Sequence, residues 1–214
     1  MTYTRIVKAE WHIEQRLAQL GTSRAELISI AQRAAAARAD ATDDDPVSAG
    51  GLLSWIYGTR ALRKVFRPKG WKRNRADNIE SVVNRQLKLK FIFQNGDSAC
   101  DEFVDPQSIS TKKTASERLV KSAQQSLFPE WERDQEENLR FSDVTVFYYF
   151  VAVDADGEIT SELSCPRDIE NGQFKGFHER IFIVNKGDLD AVVLPEVDPD
   201  QDDGDFDVII TRKN

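Results

Sequence analysis

The spacing of apolar residues changes character at Pro68–Gly70. Before it, apolar residues recur at intervals of three and four, the period of helices with one buried face. After it, Leu87, Leu89, Phe91 and Phe93 alternate with Lys88, Lys90 and Ile92, which is the period of a half-buried strand. Three N-terminal helices are therefore expected, followed by a sheet with one further helix between its strands. The expected class is α+β, with N-terminal helices packed with a mostly antiparallel β-sheet.

From Thr4 to Leu20, Ile6, Ile13, Leu17 and Leu20 have helical spacing, and Gly21 follows where a helix would stop. Ser23 and Glu26 have capping-box spacing and open a second helix, "AELISIAQRAAAARAD", that runs to Asp40. A DNA-reading helix-turn-helix is one interpretation of this pair. The small apolar run Ala34–Ala37 suits close helix packing better than base contacts. "ATDDDPVSAGG" then reads as an exposed connector, dividing a helical hairpin with its connector (1–48) from a main α+β domain (49–214). In the third helix, Leu52, Trp55, Ile56, Leu62 and Phe66 are expected to share the inward face, with Arg60, Arg63, Lys64 and Arg67 largely opposite.

"IESVVN" is expected to pair with the Leu87–Phe93 strand, which Asn95-Gly96-Asp97 closes in a turn. Thr114 and Glu117 again have capping-box spacing and predict a fourth helix with Ala115, Leu119, Ala123 and Leu127 inward. The charged "FPEWERDQEENLRFSD" reads as a surface crossing. Further strands are expected at "VTVFYYFVAV", "EITSELSCP", "FHERIFIV" and "FDVIITR", with Asp154–Gly157 as a turn. Short connections make successive strands antiparallel, with the helices on one side of the sheet.

With 214 residues, 40% of them hydrophobic, the chain can bury a sizeable core without disulfides or metal. Cys100 and Cys165 are too few for a disulfide framework and fit a reducing compartment. Neither a signal-peptide core nor a membrane-length apolar run is present in the sequence, so a cytoplasmic protein is expected.

The formal charge of -7 conceals a strong separation. Between Arg60 and Lys90, eleven cations face only Asp77 and Glu80, a local excess of +9. The candidate partner- or phosphate-binding set is Arg60, Arg63, Lys64, Arg67, Lys69, Lys72, Arg73 and Arg75, joined by Lys112 and Lys113 at the predicted start of the fourth helix. Toward the C-terminus nine carboxylates from Asp188 to Asp207 occur without an intervening Lys or Arg. Such a chain can steer a charged partner, fold its acidic stretch over its basic turn, or self-associate head to tail into a homo-oligomer. For the basic turn itself two readings stand. It contacts nucleic-acid phosphates with Trp71 stacking on a base, or it is a solvated face whose turn Trp71 pins by packing inward.

No catalytic set is complete. There is no G-x-S-x-G, P-loop, H-E-x-x-H or strand-linked G-x-G-x-x-G, and no cofactor is expected. His12 reads as a surface or packing residue, while His178 forms a possible site with Glu179, Arg180 or Cys165. Glu162 in "SELS" has Ser164 where a metal nuclease would want lysine. Asp198, Asp200 and Asp202 have the spacing of the first three EF-hand ligands, but Asp203 and Ile209 stand where Gly and Glu are needed, so a solvated loop is expected and no metal.

The ordered set "GTRALRKVF…GW…DN…VN", "SELSCP…NGQFKGFHERIFIV" and "DFDVIITR" resembles an uncharacterised family of hypothetical proteins from bacterial phages, prophages and mobile elements. The resemblance covers the chain from about Gly51 onward and implies a mobile-element setting, with roles in DNA handling or conflict with host defence. It carries no activity, cofactor or catalytic residue. Two functions follow as expectations: a non-catalytic interaction protein that binds a macromolecule through its charged faces, or a nucleic-acid-binding protein or nuclease accessory that contacts phosphates through Arg60–Lys90.

Overall fold

The computed structural model describes residues 3–76, 79–109, 116, 120 and 144–191. The elements bounded among the described residues are three α-helices and seven strands, in the order β1 (Arg5–Val7), α1 (Glu10–Gln19), α2 (Arg24–Ala39), α3 (Ala49–Phe66), β2 (Lys72–Ala76), β3 (Ile79–Asn84), β4 (Leu89–Asn95), β5 (Thr145–Val153), β6 (Ile159–Glu170) and β7 (Gln173–Val184). The strands make one sheet in the order β1-β7-β6-β5-β4-β3-β2. Its pairs are antiparallel except β1 with β7 and β4 with β5. The protein is therefore α+β, with N-terminal helices and a mostly antiparallel sheet. The parallel β4–β5 pair is possible because residues 96–144 separate the two strands, and parallel neighbours need a long crossover.

Local signals act where they were expected. Ser23 Oγ accepts from the Glu26 N–H at 3.4 Å, and the Glu26 carboxylate accepts from the Ser23 N–H at 3.1 Å. Ala34, Ala35 and Ala37 are buried in α2, so the small apolar run does serve helix packing, but its main partner is α3 rather than α1. His12 is exposed on α1.

Three expectations need correction. The helix predicted from Thr4 to Leu20 begins only at Glu10, because Arg5–Val7 joins the sheet edge beside β7, where Thr4 Oγ1 also donates to the Phe177 carbonyl at 2.9 Å. Tertiary pairing overrides helical spacing here. Leu87 lies in the β3–β4 turn, and β4 is buried on both faces rather than half-buried. Leu89, Phe91 and Phe93 enter the helix-side core, while Ile92 joins Val146, Tyr148, Phe150, Phe174 and Phe177 in a second core with Val120. Val120 is helical, so helical cover is not confined to one side. Ser116 is helical as well, and the rest of the fourth helix lies outside the described residues, as do the charged crossing at 128–143 and the strand expected at 206–212.

The third correction concerns α3. Leu52 and Trp55 are 55% and 38% exposed, whereas Ser54, Gly58, Thr59 and Ala61 are buried with Leu62 and Phe66. Small residues face inward because the helix lies directly on an aromatic ring: a Cβ on Gly58 would sit 2.2 Å from Phe93 Cζ. Gly58→Ala gains up to about 1 kcal/mol in helix propensity but overpacks a rigid contact at about 1–3 kcal/mol. Because Phe93 is buried, the steric term should win by about 1 kcal/mol, read as a lower urea midpoint with an unchanged slope.

Candidate functional site

Eight of the predicted cations lie on the rim formed by the end of α3, the turn after it and edge strand β2. The reversal is set by Arg67–Lys69, a single 3₁₀ turn with Pro68 inside it, and by Gly70 at φ +84 in the left-handed region that favours glycine. Trp71 then closes the turn from within. It is 2% exposed, its N–H donates to the Phe66 carbonyl at 3.3 Å, and its ring centroid lies 4.9 Å from Phe66 and 4.6 Å from Phe91. A ring so placed anchors the turn and cannot stack on a base.

The eight predicted cations of this rim divide into two groups. Glu80, on the neighbouring strand β3, bonds Arg63 and lies 3.2 Å from Arg75 Nε. Glu26, at the start of α2, bonds Lys69. Arg60 covers the Tyr57 ring at 4.4 Å. The remaining four, Lys64, Arg67, Lys72 and Arg73, are exposed, and their side chains have no hydrogen-bond or ion-pair partner among the described residues. On β2 these charges flank a strand that pairs only with β3, leaving its other side open among the described residues. Lys112 and Lys113 lie outside the described residues, as does the acidic stretch from Glu196 to Asp207. Asp188, the first of the nine C-terminal carboxylates, accepts from Arg24 at 2.9 Å.

A second ionic centre was missed by sequence reasoning. Arg180 on β7 donates to Glu162 on β6 through two nitrogens, at 2.8 and 2.7 Å, and the two residues are 1% and 0% exposed. Ser164 Oγ donates to the same carboxylate at 2.7 Å, as does the Cys100 N–H at 2.7 Å. The free Arg180 nitrogen donates to the Val104 carbonyl at 3.1 Å, with Asp105 Oδ1 at 3.5 Å. The carboxylate and the guanidinium are thus satisfied by one another and by the strap of residues 99–105 laid over them. With all four acceptor positions of the carboxylate taken and both groups buried, this centre is built as a structural pair.

The possible His178 site does not assemble as a unit. Glu179 turns toward α1 and bonds Arg16 at 2.8–3.0 Å, with Cys165 opposite it across the strand pair. Arg180 turns away to Glu162. A register shift between β6 and β7 falls at Cys165–Pro166, opposite His178. Burial and the neighbouring Glu179 push the Cys165 thiol up to about 12, and burial with Glu162 does the same to Cys100. Thiols held so high are poor nucleophiles at neutral pH.

Burial, and then the nearby Arg167, hold the His178 imidazole below its ordinary 6.5, and its Nε2 is buried without a hydrogen-bond partner among the described residues. The unfolded chain therefore takes up this proton first as the pH falls. Its stabilising contribution is complete above about pH 6.5 and is lost as pH drops through the lower folded value. His178→Gln should flatten the decline of the urea midpoint between about pH 7 and pH 5, and an unchanged decline would assign it to other groups.

Among the described residues no helix is long and apolar enough to cross a membrane, and no group of His, Cys, Asp and Glu is arranged to hold a metal. No protein-family model, curated protein or solved structure matches this chain.

Proposed function

We propose that this protein is a non-catalytic interaction module that docks an acidic segment of another macromolecule along the rim of α3 and β2. The observation that carries this reading is the placement of Lys64, Arg67, Lys72 and Arg73, exposed and uncompensated among the described residues, on α3, the turn after it and β2, a strand whose second edge is open among the described residues. Cations alone suit any polyanion. An open edge also offers backbone N–H and C=O groups to an added strand, which favours an extended acidic polypeptide over a nucleic acid. Burial of Trp71 supports the same choice, since it removes the aromatic platform that single-stranded nucleic acid would use.

Edge cations also discourage strand-to-strand aggregation. That role explains Lys72 and Arg73 but not Lys64 and Arg67, which lie on a helix and a turn. The sequence resemblance to phage and mobile-element proteins makes a host or phage protein the candidate partner, in keeping with a conflict between element and host.

The test compares the wild type with Lys72→Glu/Arg73→Glu/Arg75→Glu, using a fluorescent peptide that alternates Glu and Val as the acidic-strand probe. Exposed charges contribute little to stability, so the variant should melt within a few degrees of wild type yet lose the probe. Equal probe binding by both proteins would remove the rim from the functional account. Binding of generic duplex DNA instead, with a steep logarithmic salt slope, would transfer the rim to the phosphate-contact reading.

A further inference from the structure

We propose that the strand docked on β2 carries its acids at alternate positions, all facing the α3 side of the sheet, so that the edge selects an acid-x-acid spacing and not acidity alone. This rests on the docking role proposed for the rim. The two faces of β2 follow from its register with β3. Arg73 lies opposite Val82 and Arg75 opposite Glu80, and Val82 in turn lies opposite Phe91. Directly opposed residues of an antiparallel pair share a face, and Val82 and Phe91 belong to the helix-side core. Arg73 and Arg75 therefore project on the side that carries α3. The ion pairs agree, since Glu80 takes both Arg75 and Arg63 of α3.

The other face of β2 differs in charge. Lys72, Asn74 and Ala76 alternate with the two arginines and lie opposite Val83, Ser81 and Ile79. Asn74 Oδ1 accepts from Ser81 Oγ at 3.3 Å, and Ile79 packs against the second core. Lys72 is thus the single cation that β2 places on this face, against Arg73 and Arg75 on the first. Arg75 shares Glu80 with Arg63, but its side chain is 65% exposed and can still donate to a second carboxylate. A strand added to an edge places successive side chains on alternate faces, and a slip by one residue exchanges them all. Acids two residues apart meet Arg73 and Arg75 together. Adjacent acids divide between the faces, and only one of them reaches an arginine. The residues between the acids come to lie on the face of Asn74 and Ala76, which favours uncharged side chains there.

Two fluorescent peptides of equal composition and charge, EVEVEVEV and EEVVEEVV, test this by anisotropy against the full-length chain. The alternating peptide should bind wild type about tenfold more tightly, which is the loss of one charge-assisted contact in its competitor. Arg73→Gln should weaken the alternating peptide about tenfold and remove most of that preference. Lys72→Gln changes the same charge on the opposite face of the same strand, and should weaken both peptides only about twofold. Both substitutions are at exposed positions, and a melting curve for each confirms that the fold is kept. Equal affinity of the two peptides for wild type, with equal losses from the two variants, overturns the alternation and leaves docking by charge in place. A preference for the alternating peptide that Arg73→Gln leaves intact also overturns it. Failure of both peptides to bind wild type brings down the docking role itself, and the alternation with it.

Discussion

Arg180→Met is expected to destabilise the protein by about 3–5 kcal/mol, because it strands the Glu162 carboxylate at a position with no solvent contact. Ser164 and the Cys100 N–H still donate to that carboxylate, but neither brings positive charge. The Val104 carbonyl loses its donor in the same step, so the strap over the sheet is weakened as well. Glu162→Gln should cost less, since Arg180 keeps Val104, lies beside Asp105 and gains an amide oxygen in place of the carboxylate. Replacing both partners, as Glu162→Leu/Arg180→Met, should recover more than half of the single-variant loss, because no buried charge remains. It should not recover all of it, as Ser164, Cys100 and Val104 are left without their partners. Urea unfolding of wild type, Arg180→Met, Glu162→Leu and Glu162→Leu/Arg180→Met forms a double-mutant cycle. A cost below about 1 kcal/mol for Arg180→Met would mean that water reaches the pair.

The legible parts of this chain are those where one segment decides its own conformation. Ser23 and Glu26 cap α2 by themselves, Gly21 adopts a left-handed turn that its own backbone permits, and the run Thr145–Val153 is a strand in almost any apolar setting. What escaped depends on partners distant in sequence. Arg5–Val7 is too short to be a strand alone and becomes one only against Glu179–Ile181. The inward face of α3 is set by the Phe93 ring, so the glycine that fits there carries more information than the larger Leu52 and Trp55. Glu162 and Arg180 are eighteen residues apart and meet because β6 and β7 pair with a register shift on either side of Ser164. The rim cations were legible as a cluster, but their division was not. Glu80 reaches Arg75 across the β2–β3 hairpin and also takes Arg63, and Glu26 comes from a helix more than forty residues earlier.

Trp71→Ala should lower stability by about 3–5 kcal/mol, and its effect on the rim should follow from lost anchorage rather than lost contact. The indole fills the angle between α3 and β4, edge-on to Phe66 and tilted over Phe91, and those two rings themselves meet at 5.2 Å. Removing it opens a cavity bounded by aromatic rings that have few other positions. The backbone is constrained there too, since the Trp71 N–H holds the Phe66 carbonyl across the 3₁₀ turn and Gly70 has already committed the chain to its reversal. Relaxation should therefore be incomplete, which places the cost at the upper part of the range for large-to-small core changes. Lys72 and Arg73 follow directly, so a loosened turn should also weaken the acidic probe. Trp71→Phe separates the two effects: it retains most of the apolar volume and should restore probe binding while recovering most of the stability. If instead Trp71→Ala left the melting temperature within a degree or two but still abolished probe binding, the indole would be a contact residue that opens outward on docking. Its burial in the free protein would then be one state of a switch rather than the anchor of the rim.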